Sequence, residues 1–266
     1  MPLTSAAEAE LRQMLRDFRA AHHGAVIPTG AGKALEAWVL FRLAYNVHMT
    51  MSGSWRVSLR RGDGSALPSG STFGLPKGGA KLPASRRSAP GYILLEHLRH
   101  RALKVELHLN LRWQGRSGTK HELDVSALPH TIGSALRNNG GGYPNGLPIL
   151  AIECKDKGRY GELDEMRQKL ARMYDLVLVT RPAAGWSCRI FETAANTHWG
   201  RRSSKYTSAF KIGTFGIARL GTFRKGAKTL ADHYSIGQYE NILRASTSIR
   251  RLESSFRHSL ATISTF

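Results

Sequence analysis

The chain has 266 residues, with 39 Lys plus Arg against 19 Asp plus Glu, a formal charge of +20. Apolar residues make up 41% of it, enough for a buried core and too many for disorder throughout. A charge so far from zero self-repels without an anionic partner, and phosphate backbone is the partner to expect, because each neutralised phosphate releases counterions.

The two cysteines, Cys154 and Cys188, exclude a disulfide framework and a thiolate zinc site. The eleven histidines, including the His22-His23 pair, lack ligand spacing. The opening MPLTSAAEAELRQML has no apolar signal core, and no window supplies the roughly 18 apolar residues of a membrane span. A cytoplasmic chain without membrane contact is expected.

Residues 5–22 read as an amphipathic helix, with Leu11, Met14, Leu15 and Phe18 three and four apart. After the turn GAVIPTGAG, an apolar helix is predicted from Lys33 to about Val47, with Glu36 near its start. Residues 51–60 suggest a strand. From 61 to 91 the chain is rich in Gly, Pro and Ser and carries Lys77, Lys81, Arg86 and Arg87, which reads as loop. YILLEHLRHRA fits a short helix or a strand. KVELHLNLRW and KHELDVSAL, joined by GRSGT, predict an antiparallel hairpin. Residues 130–146, with Gly140, Gly141, Gly142 and Gly146, read as loop.

LPILAIECK is apolar on both faces until its end, the mark of a central strand. Tyr160 to Tyr174 carries Leu163, Met166, Leu170 and Met173 along one helical stripe, and LVLVTRP reads as a buried strand stopped by Pro182. Between Gly200 and Leu230 there is no acidic residue, while Arg201, Arg202, Lys205, Lys211, Arg219, Arg224, Lys225 and Lys228 alternate with aromatic residues. That tract suits stacking on exposed bases, and equally the packing of a basic subdomain. Residues 234–266 fit one or two helices.

The chemistry concentrates in HELDV and AIECK. Period 2 puts Glu153 and Lys155 on one face of their strand and Cys154 on the other. If the strands are neighbours, Asp124 approaches Glu153 across the sheet. Two carboxylates held together repel unless a cation lies between them. Mg²⁺ suits such a site, taking oxygen ligands and keeping several waters, with Mn²⁺ able to substitute. Asp124, Glu153 and the backbone carbonyl of Cys154 are the candidate metal ligands. Lys155 would orient a water or offset charge on a phosphoryl group. Glu122 shares the face of Asp124 and competes for its role; Asp124 is preferred.

The pattern Asp124 … Glu153-Cys154-Lys155 resembles the PD-(D/E)xK nuclease superfamily, which includes restriction endonucleases, resolvases and phage-defence nucleases. The likeness covers about residues 30–182. It implies an α/β, restriction endonuclease-like α-β-β-β-α-β core with a mixed central sheet flanked by helices. That core would carry a loop-rich insertion near 61–90, a helical extension at 1–29 and a basic extension at 183–266. Glu36 matches the glutamate that a first helix often supplies. Gln168 and Lys169 match a Gln or Lys that some members carry on the helix after the E-x-K strand. Leu123 stands where a Pro is frequent. The implied activity is Mg²⁺-dependent endonuclease cleavage of DNA in restriction or phage defence, catalysed by Glu36, Asp124, Glu153 and Lys155. Arg201, Arg202, Lys205, Lys211, Arg224, Lys225 and Lys228 would hold the nucleic acid. Cutting both strands calls for a homodimer or a partner-dependent assembly. A non-catalytic nucleic-acid binder and an RNA-processing nuclease are the alternatives.

PTGAGKA at 28–34 resembles a phosphate-binding loop, but Ala34 replaces the hydroxyl that would hold Mg²⁺. It is read as a turn and helix start.

Overall fold

The computed structural model describes residues 5–17, 33–156, 160–176, 178–181, 187–189, 202–203, 213–243 and 246–263. Two helices open the chain. α1 (Ser5–Asp17) inserts Leu11 and Met14 into the core. α2 (Lys33–Thr50) is buried almost all round from Ala34 to Ala44. A helix apolar on all sides needs neighbours on all sides.

A strand, β1 (Trp55–Arg60), follows, and then a long irregular stretch containing only the two-residue β2 (Leu82–Pro83). Tyr92–His97, which the sequence leaves open between helix and strand, is a strand (β3), with all six residues buried. β4 (Lys104–Gln114) and β5 (Lys120–Pro129) form the expected antiparallel hairpin, in register from Val105↔Pro129 to Gln114↔Lys120. α3 (His130–Asn138) comes next, where the glycines had suggested loop. β6 (Gly141–Gly142) pairs with β2. β7 (Leu150–Lys155) is the E-x-K strand, and α4 (Leu163–Leu176) is the expected helix behind it.

The order of strands departs from expectation beyond α4. β8 (Leu178–Arg181) is a strand, but it belongs to a separate three-stranded sheet with β9 (Ser187–Arg189) and β10 (Arg202–Ser203). The parallel neighbour of β7 is β11 (Thr214–Arg219), buried at all six positions. A helix, α5 (Lys225–His233), then leads to β12 (Gly237–Tyr239), which pairs parallel with β11. α6 (Ser246–Ile263) closes the chain and packs against α2, β11 and β12. The result is a mixed α/β fold around a seven-stranded sheet of order β1-β3-β4-β5-β7-β11-β12. The sheet does not end at residue 182, where the core boundary was expected. It continues through 214–239, because the short apolar run TFGIA needs burial on both faces as much as LAI does. None of the described helices is long and apolar enough to cross a membrane.

α3 forms around a buried carboxylate. Glu106 of β4 is fully buried and accepts hydrogen bonds from Arg137 (Nη1, 2.8 Å), from a second Arg137 nitrogen, from His108 (2.8 Å) and from His130 (2.6 Å). Gly133 permits this, since a Cβ there would collide with the Glu106 carboxylate. Arg137 also lies 4.5 Å over the Tyr92 ring. Burial alone would push the Glu106 carboxyl up; Arg137, His108 and His130 outweigh it and hold the group well below the glutamate range.

Removing one member of such a buried pair strands the other. Glu106→Ala should cost about 3–5 kcal/mol in urea unfolding. Because the folded carboxyl is held low, its contribution is present above the ordinary value of 4.5 and is lost as pH falls further. In the wild type, stability should therefore decline on acidification below that value. A variant that kept full stability, or a Glu106→Ala protein with an unaltered acid limb, would refute this account.

Candidate active site

The ladder between β5 and β7 runs Ala127↔Leu150, Ser126↔Ala151, Val125↔Ile152 and stops. The next pair in that register is Asp124 opposite Glu153. A continued ladder would send the Cys154 N–H to the carbonyl of Leu123. Instead it donates to Asp124 Oδ2 at 2.7 Å, so the strands part where the two acids meet.

The ladder on the other side of Asp124 is interrupted too. In the β4–β5 register Asn110 falls opposite Asp124, between Leu109↔Val125 and Leu111↔Leu123. Asn110 has φ +49°, a conformation that asparagine tolerates better than most residues. Its carbonyl accepts from the Ala80 N–H (3.1 Å), and its Oδ1 accepts from Lys33 Nζ (2.8 Å). Asn110, Asp124 and Glu153 thus form one row across three strands.

α2 brings a third acid. Glu36 is buried, and Lys33, one turn earlier, contacts it at 3.2 Å. Glu122 stays at the rim, half-buried, with Arg112 at 3.7 Å and Lys33 at 4.0 Å. Asp124, not Glu122, is the neighbour of the buried acids.

Cations answer from β7 and α4. Lys155 Nζ donates to Glu153 Oε1 (2.6 Å), and Arg172 to Oε2 (3.0 Å). Lys169 is fully buried, and its Nζ has no hydrogen-bond partner among the described residues, although the charges of Glu153 and Asp124 act on it. Gln168 is exposed and turned away. Of the two helix candidates, Lys169 is therefore the one in the site. The helical stripe hides it: Lys169 lies three residues from Met166 and four from Met173 and is buried like both. Asn110 and Arg172 were not anticipated. For Asn110 a signal existed, a poor strand former in the middle of LHLNLRW.

The electrostatics separate these groups. Burial, and then Asp124, push Glu36 up to about 7, against the opposing pull of Lys33 and Asn110. Burial, and next among the raising influences Glu153, lift Asp124, although the Cys154 N–H opposes this. Burial also acts upward on Glu153, but Lys169, Lys155 and Arg172 prevail and hold it low. Burial works against the charge of Lys155, yet Glu153 and Asp124 raise it above the ordinary lysine value. Burial brings Lys169 down to about 8. The Cys154 thiol is buried and pushed well up, first by burial and then by Asp124, Glu36 and Glu153. Any contribution it makes to a metal comes from its carbonyl.

Among the described residues no group of three or more His, Cys, Asp or Glu side chains is arranged to hold a metal ion. The donor chemistry nonetheless fits a hard cation, since Asp124 and Glu153 are oxygen donors in adjacent strands and Mg²⁺ needs only one or two carboxylates.

The proposed nucleic-acid contacts divide. Arg201, Lys205 and Lys211 lie outside the described residues, and Arg202 is placed only as part of β10. Arg224 is exposed and 3.5 Å from Glu162. Lys225 borders an apolar groove between α4 and α5. Lys228 pairs with Glu240 at 2.9 Å. Residues 28–32 of the PTGAGKA segment also lie outside the described residues; its Lys33 is committed to Glu36 and Asn110. Searches of protein-family models, curated proteins and solved structures find no match to this chain.

The raised pKa of Glu36 has a measurable sign. A carboxyl held above its unfolded value contributes stability that is present below 4.5 and lost as pH rises through about 7. With EDTA present, wild-type stability should fall by up to about 3 kcal/mol across that window, and Glu36→Gln should flatten the fall. Parallel profiles for the two proteins would show that Glu36 is not a strained acid.

Proposed function

We propose that this chain is a Mg²⁺-dependent nuclease acting on DNA phosphodiesters, with a core of the PD-(D/E)xK, restriction endonuclease-like kind. The observation that carries the reading is the Asp124–Glu153 juxtaposition. Two acids face each other at a break in the sheet ladder, Glu36 is close enough for Asp124 to raise its pKa, and a fully buried Lys169 lies beside them without a hydrogen bond. Glu153 is closed by Lys155 and Arg172, much as Glu106 is by its donors, but Asp124 and Glu36 keep raised pKa values.

The Asp124 and Glu153 carboxylates and the Cys154 carbonyl would hold the ion. Such an ion supplies Lewis-acid polarisation of a phosphoryl oxygen and makes water more acidic. The chain's own groups divide the remaining work. Lys155 and Lys169 set a positive potential where a phosphate would carry developing charge. Arg172 orients the Glu153 carboxylate. Glu36, near 7, is suited to hold or release a proton at neutral pH. The surplus of positive charge supports a polyanionic substrate. Cleavage of both strands implies two copies or two successive nicks, and restriction or phage defence is the setting that the resemblance suggests. One observation favours a non-catalytic nucleic-acid binder instead: both Glu153 oxygens are already engaged by Lys155 and Arg172.

The purified protein should cut plasmid, linear duplex, single-stranded DNA or RNA with Mg²⁺ or Mn²⁺ and not with EDTA. Asp124→Asn, Glu153→Gln and Lys155→Ala should each lower the rate by about 100-fold or more. Activity surviving all three substitutions would remove the site assignment. Salt-sensitive binding without cleavage would establish the binder, and RNA cut in preference to DNA would change the substrate.

A further inference from the structure

At the opposite end of β7 and β11 from the carboxylates, α6 borders a cavity of about 560 Å³ against the start of β11 and the turn into β12. Leu150↔Thr214 marks this end and Lys155↔Arg219 the other. Glu153 pairs with Ile217, three residues along the strand from Thr214, so about 10 Å of strand separates the two sites. α6 buries Ile249, Leu252, Phe256, Leu260 and Ile263. Beside that apolar stripe Arg251, Ser254, Ser255, His258 and Ser259 recur at three- and four-residue spacing, and all of them line the cavity.

The chemistry of the lining is one-sided. Among the described residues it contains no Asp or Glu. Glu253, the sole acid of α6, is turned toward α2, where Arg42 holds it at 2.6 Å. Among the described residues Arg251 and His258 have no carboxylate within ion-pair distance, and both are exposed. Across from them Ser235 stands at φ +56°, and Gly237 has no side chain, because a Cβ there would meet the Tyr239 hydroxyl. Several hydroxyls and two basic side chains converge on space that nothing acidic balances.

We infer that this cavity is a second binding site, taking a phosphate ester of nucleotide size, with Arg251 as its principal anchor. Guanidinium matches phosphate oxygens in a bidentate fork, and the exposed Ser254 hydroxyl and His258 can add donors, while Ser259 is held by Thr214 at 2.8 Å and Ser255 by Tyr239. The volume lies within the roughly 300–1,000 Å³ typical of small-molecule pockets and is more than one inorganic phosphate needs. A ligand here would bridge α6 to β11 and β12. Nothing in this pocket depends on the carboxylate site.

Calorimetric titration of the full chain in EDTA, with inorganic phosphate, AMP, ATP and a short single-stranded oligonucleotide as probes, tests the site. AMP or ATP should bind more tightly than phosphate. Arg251→Met should weaken that binding about tenfold or more, while Arg250→Met, the same charge loss one residue away, and Glu153→Gln should leave it unchanged. Loss of affinity in Arg251→Met for the oligonucleotide alone would still support the site and would identify a nucleic-acid phosphate as its source. No binding of any probe would overturn the inference. So would equal effects of Arg250→Met and Arg251→Met, or binding abolished by Glu153→Gln. Because Arg251 is exposed and has no ion pair among the described residues, its replacement should leave the urea midpoint unmoved; Ser254→Ala offers a second, milder variant.

Discussion

The repulsion among Glu36, Asp124 and Glu153 is the constraint around which the neighbouring structure is arranged. Partly or wholly buried carboxylates beside one another are unfavourable in a medium that screens poorly. The chain meets this with local changes. The β5–β7 ladder gives way so that Asp124 can take a backbone N–H. The β4–β5 ladder gives way at Asn110, which holds Lys33 against Glu36. α4 delivers Arg172 and Lys169 from behind. Each adjustment reduces the repulsion without removing it: the pKa values of Glu36 and Asp124 are raised, first by burial and then by the neighbouring carboxylates.

Glu106 is the internal control for this argument. It is more deeply buried than Glu36, and its strand belongs to the sheet that carries Asp124 and Glu153. Yet its carboxyl is held low, because four donors close on its two oxygens. The difference between the two glutamates is therefore not burial. It is whether the surroundings were completed around the charged form. A structural acid is completed; one that shares its charge with a transient cation or proton is left open.

The hairpin of β4 and β5, the buried E-x-K strand and the helix after it were legible because each carries a clean period: alternation in KVELHLNL, a continuous apolar run in LAI, a stripe through Met166 and Met173. Three elements were not. α3 hides behind glycines, and the reason for Gly133 is Glu106, twenty-seven residues earlier, which no local window contains. β11 is only six residues long and sits inside a tract whose basic charge dominates the reading. β8 was legible as a strand but not as a member of a different sheet, because pairing partners are set by tertiary contacts and not by composition. Within the site, Asp124, Glu153 and Lys155 were readable from spacing, and Glu36 only from the resemblance. Lys169 required knowing that its apolar stripe faces a pair of carboxylates.

The surplus charge also looks different once partners are assigned. Arg42, Arg137, Arg172 and Lys228 are spent on internal acids, and Arg219 is fully buried between Glu165 at 2.7 Å and the Phe223 ring at 4.8 Å. A basic tract is therefore not a basic surface. What can meet a polyanion is the remainder that is exposed, and in α6 that remainder includes Arg251 in a cavity with no acid among its described lining residues. The positive charge thus works in two ways in this fold. Part of it neutralises carboxylates that a central sheet could not otherwise accommodate. Part of it stays uncompensated, and its position, more than its total, decides where phosphate can bind.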